Sequence, residues 1–290
     1  MSAVTPITRP LRDSTLRIVE ESKRDVFWMY MHSHNSKQQR RTCFSSEMLD
    51  DMLQFQAIVR QRAAQRRSTS SFTILASDSD VFNLGGDLAA FHQLIRKRDR
   101  NALLDYAKRC VLCVHGFHYG CHVGAHSIAL VQGTALGGGL ELALSCNTVI
   151  AEEGVTMGFP EVMFNLFPGM GAYSFMRQRI SLHRAEQIMS EGKTFRAEEM
   201  YEMGLIDHLA PRGKGREKVE QVIHHAQRIS NAWQAIQRAK LFTSPVTHDE
   251  LMGITEVWVD AAMQLGDKAL RTMERLVYAQ NRRIGITQVL

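Results

Sequence analysis

The sequence lacks an apolar run long enough to cross a membrane. Its most apolar long stretch, residues 128–144, is interrupted by glycines and by the charge of Glu141, whereas a spanning helix needs about 20 consecutive apolar residues. Residues 1–15 contain no apolar segment of the kind found in secretory signals. We therefore expect a cytoplasmic protein that has no membrane partner.

Cysteine is scarce, and its spacing does not suggest disulfide pairs. The chain has five cysteines, an odd number, which suits a reducing compartment. One cluster has ligand types suited to zinc, and it consists of Cys110, Cys113, His115, His118, Cys121, His122 and His126. Most of these residues fall on or just after one predicted helix, whereas structural zinc sites usually gather ligands across a turn. We expect buried thiols with polar histidines at a helix end, and neither a metal nor another cofactor.

The chain also lacks nucleotide-binding and RNA-binding motifs. Neither of its glycine-rich segments fits G-x-G-x-x-G or G-x-x-x-x-G-K-[ST]. The net charge is +5 at pH 7, and arginines cluster at residues 40–41, 60–67 and 96–100, but no aromatic residues are interleaved with them. We interpret these arginines as a solvated basic face, with a footprint for an acidic carrier protein as the alternative. We do not expect nucleic acid to bind.

Hydrophobic periodicity predicts alternating strands and helices through the middle of the chain. The predicted strands are residues 16–19, 26–31, 72–76, 127–131 and 148–151, and the predicted helices begin near Ser45 or Ser46 and cover residues 87–98, 101–118 and 139–145. Such alternation favours an α/β layer architecture. Two long helices, 217–242 and 248–283, are predicted to follow. We place a boundary near residue 215, so that residues 1–215 form a core with the active site and residues 216–290 a helical region.

Two glycine-rich turns each precede a predicted helix, at residues 82–88 and 133–141. Glycine lets a ligand approach the backbone closely, and a helix start presents unpaired N–H groups with partial positive charge. Brought together, the two turns would hold an oxyanion between two amides. Taken singly, each is also explained as a tight strand-to-helix turn.

Two glutamates stand in apolar surroundings beside these turns. Glu141 lies between Leu140 and Leu142, and Glu161 follows Phe159 and Pro160. A carboxylate at a helix start is stabilising by itself, which is the simpler interpretation of Glu141 alone. Isolated buried carboxylates are costly unless they are paired or functional, so the two together predict an acid/base pair with raised pKa values.

Three motifs together resemble the crotonase (enoyl-CoA hydratase/isomerase) superfamily in order and spacing. They are F-x-x-G-x-D-L at residues 82–88, G-x-x-L-G-G-G-x-E at residues 133–141 and P-E-V…P-G-M-G at residues 160–171. With a further family-like segment at residues 197–207, the likeness covers roughly residues 72–210. It implies an α/β crotonase fold: a superhelical core of repeated ββα units, and a C-terminal helical region that serves oligomerisation and covers the acyl pocket.

Other segments resemble one branch of this superfamily, the bacterial diffusible-signal-factor synthases, which make cis-2-unsaturated fatty acid signals. These segments are residues 75–88, 164–175, 258–260 and 263–266. Two departures from the wider superfamily stand out. Asn147 occupies a position where many relatives have aspartate, and Asn83-Leu84 replaces the small residues common before the first glycine.

The resemblance implies roles for particular residues. Glu161 would remove the α-proton of a 3-hydroxyacyl thioester, and Glu141 would protonate the departing β-hydroxyl. The oxyanion-hole amides fall on Leu84 or Gly85 in the first turn and on Gly138 in the second. The residues expected to contact the rest of the substrate are Gly86, Leu136, Gly137, Met170 and Trp258.

The implied function is that of a dehydratase and thioesterase. It would convert a medium-chain 3-hydroxyacyl thioester of acyl carrier protein into a free cis-2-unsaturated fatty acid, a quorum-sensing signal. The implied partners are the acyl carrier protein, further copies of the chain in a trimer or dimer of trimers, and a cognate signal-sensing regulator. Two alternatives stay open: an enoyl-CoA hydratase of fatty-acid degradation, and a crotonase-fold scaffold that binds a regulator or RNA. The presence of both glutamates weighs against the scaffold.

Overall fold

The computed structural model describes residues 5–6, 14–33, 41–66 and 71–283. Most of the predicted loop at residues 32–41 lies outside these residues, as do Arg40 and Arg67. The helices are α1 (Ser46–Arg66), α2 (Leu88–Arg96), α3 (Arg100–His118), α4 (Gly138–Ser145), α5 (Ala172–Met176), α6 (Leu182–Glu191), α7 (Ala197–Glu202), α8 (Gly215–Arg228), α9 (Ser230–Thr243), α10 (His248–Met263) and α11 (Asp267–Arg283).

The strands form two sheets of unequal length. They are β1 (Thr5–Pro6), β2 (Leu16–Glu21), β3 (Val26–Met31), β4 (Phe72–Ser77), β5 (Val81–Asn83), β6 (His126–Val131), β7 (Thr134–Leu136), β8 (Thr148–Glu152), β9 (Thr156–Gly158), β10 (Thr194–Arg196) and β11 (His208–Ala210). The core sheet has the order β1-β2-β3-β4-β6-β8-β11, and the smaller sheet has the order β10-β9-β7-β5. The predicted hairpin is confirmed as the antiparallel pair β2 and β3.

The core sheet is parallel from β3 to β11 and is covered on both faces. In β6, Ala129 and Val131 face the large core, whereas Ile128 and Leu130 face a second cluster under α8. All six residues of β6 are buried, as expected for a parallel strand with helices on both sides. This burial explains why residues 127–131 appear as a continuous apolar run.

A repeated ββα unit builds the middle of the chain. The long strands β4, β6 and β8 pair in parallel in the core sheet, and the short strands β5, β7 and β9 that follow them pair in parallel in the smaller sheet. Helical segments follow each short strand. This architecture confirms the predicted α/β crotonase fold. The short strands were not predicted, because three residues are too few to show a period of two.

The C-terminal region is helical as expected, but its helices are shorter than the sequence predicts. The predicted helix 217–242 is divided into α8 and α9 at Ile229, where φ is −116° and ψ is 36°. The predicted helix 248–283 is divided into α10 and α11 around Gly266, a residue with low helix propensity. Because apolar residues continue on both sides of each break, the periodicity of the sequence does not show where one helix ends and the next begins.

Helix α8 begins at the predicted boundary yet packs directly on the core sheet. Val219 and Ile223 on its inner face belong to the same buried cluster as Ile128 and Ile150. The later helices α10 and α11 pack against α3 and α2 respectively. Among the described residues, no helix combines the length and apolarity needed to cross a membrane.

Candidate active site

Glu141 lies in the first turn of α4, which starts directly after the second glycine-rich turn. Gly137 precedes the helix with a φ of +51°, a conformation that glycine adopts without steric cost. Only 2% of the surface of Glu141 is exposed. The glycine turn therefore aims the start of a buried helix, and with it this carboxyl group, into the interior.

Backbone N–H groups from the P-G-M-G segment hold the Glu141 side chain. Its Oε1 accepts hydrogen bonds from the N–H of Met170 at 2.7 Å and of Ala172 at 2.8 Å. The hydroxyl of Thr255 on α10 donates to the carbonyl oxygen of Gly169 at 2.9 Å. Thr255 therefore fixes the turn that orients Glu141, although it lies far away in the sequence.

Glu161 opens a short 3-10 turn, Glu161–Phe164, and leans against the same glycine turn. A Cβ atom at Gly137 would lie 2.4 Å from Glu161 Oε1, so only glycine leaves room for this carboxyl group. Its Oε2 atom is buried and has no hydrogen-bond partner within the part of the chain that the structure describes. A buried polar atom without a partner is costly, and here it belongs to a residue that lines a pocket.

Burial raises the pKa values of both carboxyl groups, and repulsion from Glu141 adds to the rise at Glu161. Burial raises the pKa of Glu141 to about 7, and the backbone N–H groups of Ala172 and Met170 oppose that rise. Burial also raises the pKa of Glu161 well above its usual value, and the negative charge of Glu141 raises it further. Backbone N–H donors stabilise the ionised form of Glu141, whereas the charge of ionised Glu141 opposes ionisation of Glu161.

The two glycine-rich turns contact each other directly. A Cβ atom at Gly85 would lie 2.8 Å from the amide nitrogen of Gly138, and one at Gly139 would lie 2.1 Å from the carbonyl oxygen of Asn83. The turns approach this closely because each presents bare backbone to the other.

The amides predicted as oxyanion donors in the first turn, those of Leu84 and Gly85, both have hydrogen-bond partners within the protein. The N–H of Leu84 donates to the carbonyl oxygen of Thr42 at 2.8 Å, and that of Gly85 donates to Asn83 Oδ1 at 2.7 Å. Neither amide is therefore available to a substrate oxygen. Gly86, predicted only as a contact residue, lines the pocket, and so does Gly138 of the second turn.

The carboxyl groups and the glycine turns border one pocket of about 290 Å³, which we call the glutamate pocket. The predicted site residues that line it are Leu84, Gly86, Leu136, Gly137, Gly138, Glu141, Glu161, Met170 and Trp258. Gly85 stands behind this surface. The interior of the glutamate pocket is apolar. The indole of Trp258 packs edge-on against Phe91 there, with ring centroids 5.1 Å apart.

Several pocket residues were not predicted from the sequence. They are contributed mostly by helices, and include Phe91, Tyr106, Cys110, Phe164, Thr255 and Leu276. Phe91, Tyr106 and Cys110 occupy ordinary core positions of α2 and α3, so their spacing alone carries no signal of a site. Thr255 and Leu276 come from α10 and α11, which places the C-terminal helices over the pocket.

The candidate zinc residues do not gather into a metal site. Among the described residues, no group of three histidine, cysteine, aspartate or glutamate side chains is arranged to hold an ion. All five cysteines are buried and unpaired, and burial raises the pKa of Cys110 to about 12. Asn147, one of the two departures from the superfamily, accepts from the N–H of Ser127 at 2.9 Å and lies outside the glutamate pocket.

Fold and site together define a crotonase-type enzyme, in which two glycine-rich turns and two glutamates line one pocket. Residues 36–282 match the sequence profile of the Enoyl-CoA hydratase/isomerase family. The match covers well over half of the chain, and the protein belongs to this family. The diffusible-signal-factor branch is not distinguished by this match.

Known relatives agree with this assignment. The enoyl-CoA isomerase/hydratase fer4 of Mycosarcoma maydis is 28% identical over 215 residues, which cover 73% of this chain and 75% of that protein. The peroxisomal fatty acid beta-oxidation multifunctional protein AIM1 of Arabidopsis thaliana is 27% identical over 192 residues, 60% of this chain but only 25% of that longer protein.

Solved structures share the fold at low sequence identity. The enoyl-CoA hydratase of Bacillus halodurans superposes with a TM-score of 0.73 and 19% identity over 90% of this chain and 100% of that one. The human mitochondrial delta3-delta2-enoyl-CoA isomerase gives a TM-score of 0.74 and 16% identity over 93% of this chain and 99% of that one.

Replacing Gly139 by alanine is expected to lower kcat on a 2-enoyl thioester roughly tenfold, because a misplacement near 1 Å in a catalytic site can cost up to 10²-fold. The added Cβ would meet the backbone of Asn83, its oxygen at 2.1 Å and its carbonyl carbon at 2.7 Å. The two turns must then separate. Gly253→Ala is the matched control, since a Cβ there has no neighbour within 4 Å. Equal kcat for Gly139→Ala and wild type would show that the spacing of the turns does not matter.

Proposed function

We propose that the protein catalyses the reversible addition of water to a 2-enoyl thioester, which is also the dehydration of a 3-hydroxyacyl thioester. The observation that carries this proposal is that the carboxyl-bearing residues Glu141 and Glu161 line one pocket together with the two glycine turns. Isomerisation needs a single acid/base group, whereas the exchange of water needs a proton donor and a proton acceptor at adjacent carbons.

The thioester carbonyl would lie between the amides of Gly86 and Gly138. Negative charge develops on this oxygen when the α-carbon gains or loses a proton, and preorganised N–H donors stabilise that charge. One such donor is typically worth about 3–4 kcal/mol in the transition state. The apolar surroundings strengthen these interactions because little water competes with them.

The two carboxyl groups can supply the proton acceptor and the proton donor that hydration needs. In hydration, ionised Glu141 accepts a proton from water as it attacks the β-carbon, and protonated Glu161 delivers its proton to the α-carbon. In dehydration the same two groups act in the opposite sense, with Glu161 as base and Glu141 as acid. The pKa values of both carboxyl groups are raised, so each holds a proton closer to neutral pH than an ordinary carboxyl group does.

The finer proposal is that the physiological reaction is dehydration followed by hydrolysis of the thioester. A medium-chain 3-hydroxyacyl group on acyl carrier protein would leave as a free cis-2-unsaturated fatty acid, a diffusible signal. For hydrolysis, a glutamate would activate water against the carbonyl carbon, and the same amides would hold the tetrahedral oxyanion. The resemblance of residues 75–88 and 164–175 to the signal synthases supports this choice. The alternative is an enoyl-CoA hydratase, which the match of residues 36–282 to the Enoyl-CoA hydratase/isomerase family supports.

The distribution of charge supports an acyl carrier protein as the substrate carrier less strongly than the sequence suggested. Most of the described arginines in the predicted basic face already pair with carboxylates, as in Arg41–Asp87, Arg62–Glu20, Arg66–Asp25, Arg96–Asp267 and Arg100–Asp260. A paired guanidinium attracts an acidic partner less strongly. The proposal for a carrier protein therefore rests on the resemblance to the signal synthases.

A direct competition distinguishes the two thioesters. The same 3-hydroxyacyl chain is supplied on acyl carrier protein and on CoA, and kcat/KM is compared at low and at high salt, with mass spectrometry of the products. We expect at least tenfold preference for the carrier protein and release of a free 2-unsaturated acid. Equal use of the CoA ester at low salt, with no free acid released, would establish the enoyl-CoA hydratase instead.

A further inference from the structure

A second cavity lies at the amino-terminal ends of β4 and β6, beneath one side of α9. Its volume is about 310 Å³, and among its lining residues are Phe72, His118, His126, Trp233 and Lys240. We call it the α9 cavity. None of its lining residues also lines the glutamate pocket, so it is a separate space in the molecule.

The charge of the α9 cavity favours an anion. Its lining includes Lys240 and Arg238 but no aspartate or glutamate. Lys240 is partly buried, and no carboxylate in the described part of the chain lies within ion-pair distance of it. Asp207, the acidic group that acts on it, already accepts from Arg179 at 2.8 Å. Burial lowers the pKa of Lys240, and the charge of Arg179 lowers it further, so an anion beside this ammonium group would be stabilised.

Three residues that line this cavity each carry a buried polar atom without a hydrogen-bond partner among the described residues. The atoms are Trp233 Nε1, His118 Nε2 and His126 Nδ1. An unpaired buried donor or acceptor costs about 1–3 kcal/mol, so a ligand that satisfies these atoms recovers that free energy. The three atoms come from α9, α3 and β6, which makes the cavity a meeting point of separate elements.

The hydrogen-bonding roles of these atoms follow from their neighbours. Trp233 Nε1 can only donate. His118 Nδ1 lies 3.3 Å from the carbonyl oxygen of Ser145, which can only accept, so Nδ1 carries the proton and Nε2 is an acceptor. Burial lowers the pKa of His118 to about 4 and that of His126 to about 3, so both rings are neutral at pH 7. Net positive charge in the lining therefore comes from Lys240 and Arg238.

Aromatic and aliphatic groups form the rest of the wall. The rings of His126 and Trp233 meet edge-on with centroids 5.1 Å apart, and those of His126 and Phe72 with centroids 6.0 Å apart. Val123 and Leu241 add aliphatic surface. A ligand suited to this cavity therefore combines an anionic head with an apolar body.

We infer that the α9 cavity binds a small carboxylic acid with a short apolar tail, its carboxylate facing Lys240 Nζ and the indole N–H of Trp233. Lys240 supplies the charge and Trp233 supplies a directed hydrogen bond, while the tail contacts Phe72 and Leu241. The volume is at the lower end of the range of about 300–1,000 Å³ found for ligand pockets. This site does not depend on the proposed reaction.

Fluorine NMR on protein labelled with 5-fluorotryptophan tests the site directly. The chain has three tryptophans, and they occupy distinct places: Trp28 in the core, Trp258 in the glutamate pocket and Trp233 in the α9 cavity. Octanoate is titrated into the full chain, and Trp233→Phe assigns the Trp233 resonance. We expect that resonance to move saturably, with its own Kd.

Variants and ligand analogues separate the contributions. Lys240→Met is expected to raise the Kd reported by Trp233 at least tenfold, whereas Lys240→Arg restores binding and the exposed control Lys268→Met leaves it unchanged. Octanamide, which lacks the charge, should not move the resonance. The inference is overturned if octanoate moves only the Trp258 resonance, if Lys240→Met binds as the wild type does, or if inorganic phosphate moves Trp233 at the same concentrations as octanoate.

Discussion

Glu161→Gln and Glu141→Gln are each expected to lower kcat for hydration of a 2-enoyl thioester by about 10²–10⁴-fold, the usual contribution of a general acid or base. A glutamine side chain keeps the shape of glutamate but neither delivers nor accepts the proton. At position 141 its amide oxygen can still accept from the N–H groups of Met170 and Ala172, which lie 2.7 and 2.8 Å from the present Oε1. The turn should therefore keep its place.

Steady-state kinetics and thermal unfolding of each variant check this expectation together. Glu256→Gln, an exposed residue of α10, is the matched control and should keep full activity. Because the two carboxyl groups act as one unit, the double variant should lose little more than either single variant. Near-normal turnover in either single variant, with an unchanged unfolding temperature, would mean that only one carboxyl group takes part.

The two glutamates could be predicted from the sequence because the residues that mark them are their neighbours in the chain. Apolar neighbours in the sequence on both sides of Glu141 and Glu161 indicate that each carboxyl group has apolar surroundings. The motifs place each glutamate beside a glycine turn. Their close approach, however, depends on how the P-G-M-G segment wraps around α4. Thr255, which holds that segment through Gly169, comes from a helix that no short-range pattern connects to the site.

The proposed oxyanion donor of the first glycine turn illustrates what spacing alone does not determine. A motif places two or three candidate amides in one turn, and the direction of each N–H depends on what else it meets. Here Asn83 takes up the amide of Gly85 and Thr42 takes up that of Leu84, which leaves Gly86. Asn83, a departure from the superfamily pattern, thus has a structural role as a side-chain acceptor within the turn.

Other expectations concern properties outside a single chain. The threefold homo-oligomer, the regulator and the cytoplasmic location stay predictions. Exposed apolar side chains on α9, Ile236 and Phe242, are compatible with a contact between copies, but their exposure does not specify a symmetry.

The stability of the protein is expected to fall as pH rises from 4.5 to above 7, relative to the Glu141→Gln variant. The pKa of Glu141 rises from 4.5 to about 7 in the folded state, so between these values the folded protein holds a proton that the unfolded chain has released. The unfolded state then binds fewer protons, and the free energy of unfolding decreases with pH. The contribution of the protonated carboxyl is present below pH 4.5 and is lost as pH passes through 7.

The expected size of this effect is about 3 kcal/mol, since each pKa unit corresponds to about 1.4 kcal/mol. Urea unfolding of wild type and Glu141→Gln at fixed protein concentration, from pH 4 to pH 8, measures the difference, while titrations of groups that do not interact with Glu141 cancel. The variant also removes the charge that raises the pKa of Glu161, so its advantage above pH 7 should be at least this large. A difference that does not change with pH would show that Glu141 titrates normally, and its assignment as a buried acid/base group would then be wrong.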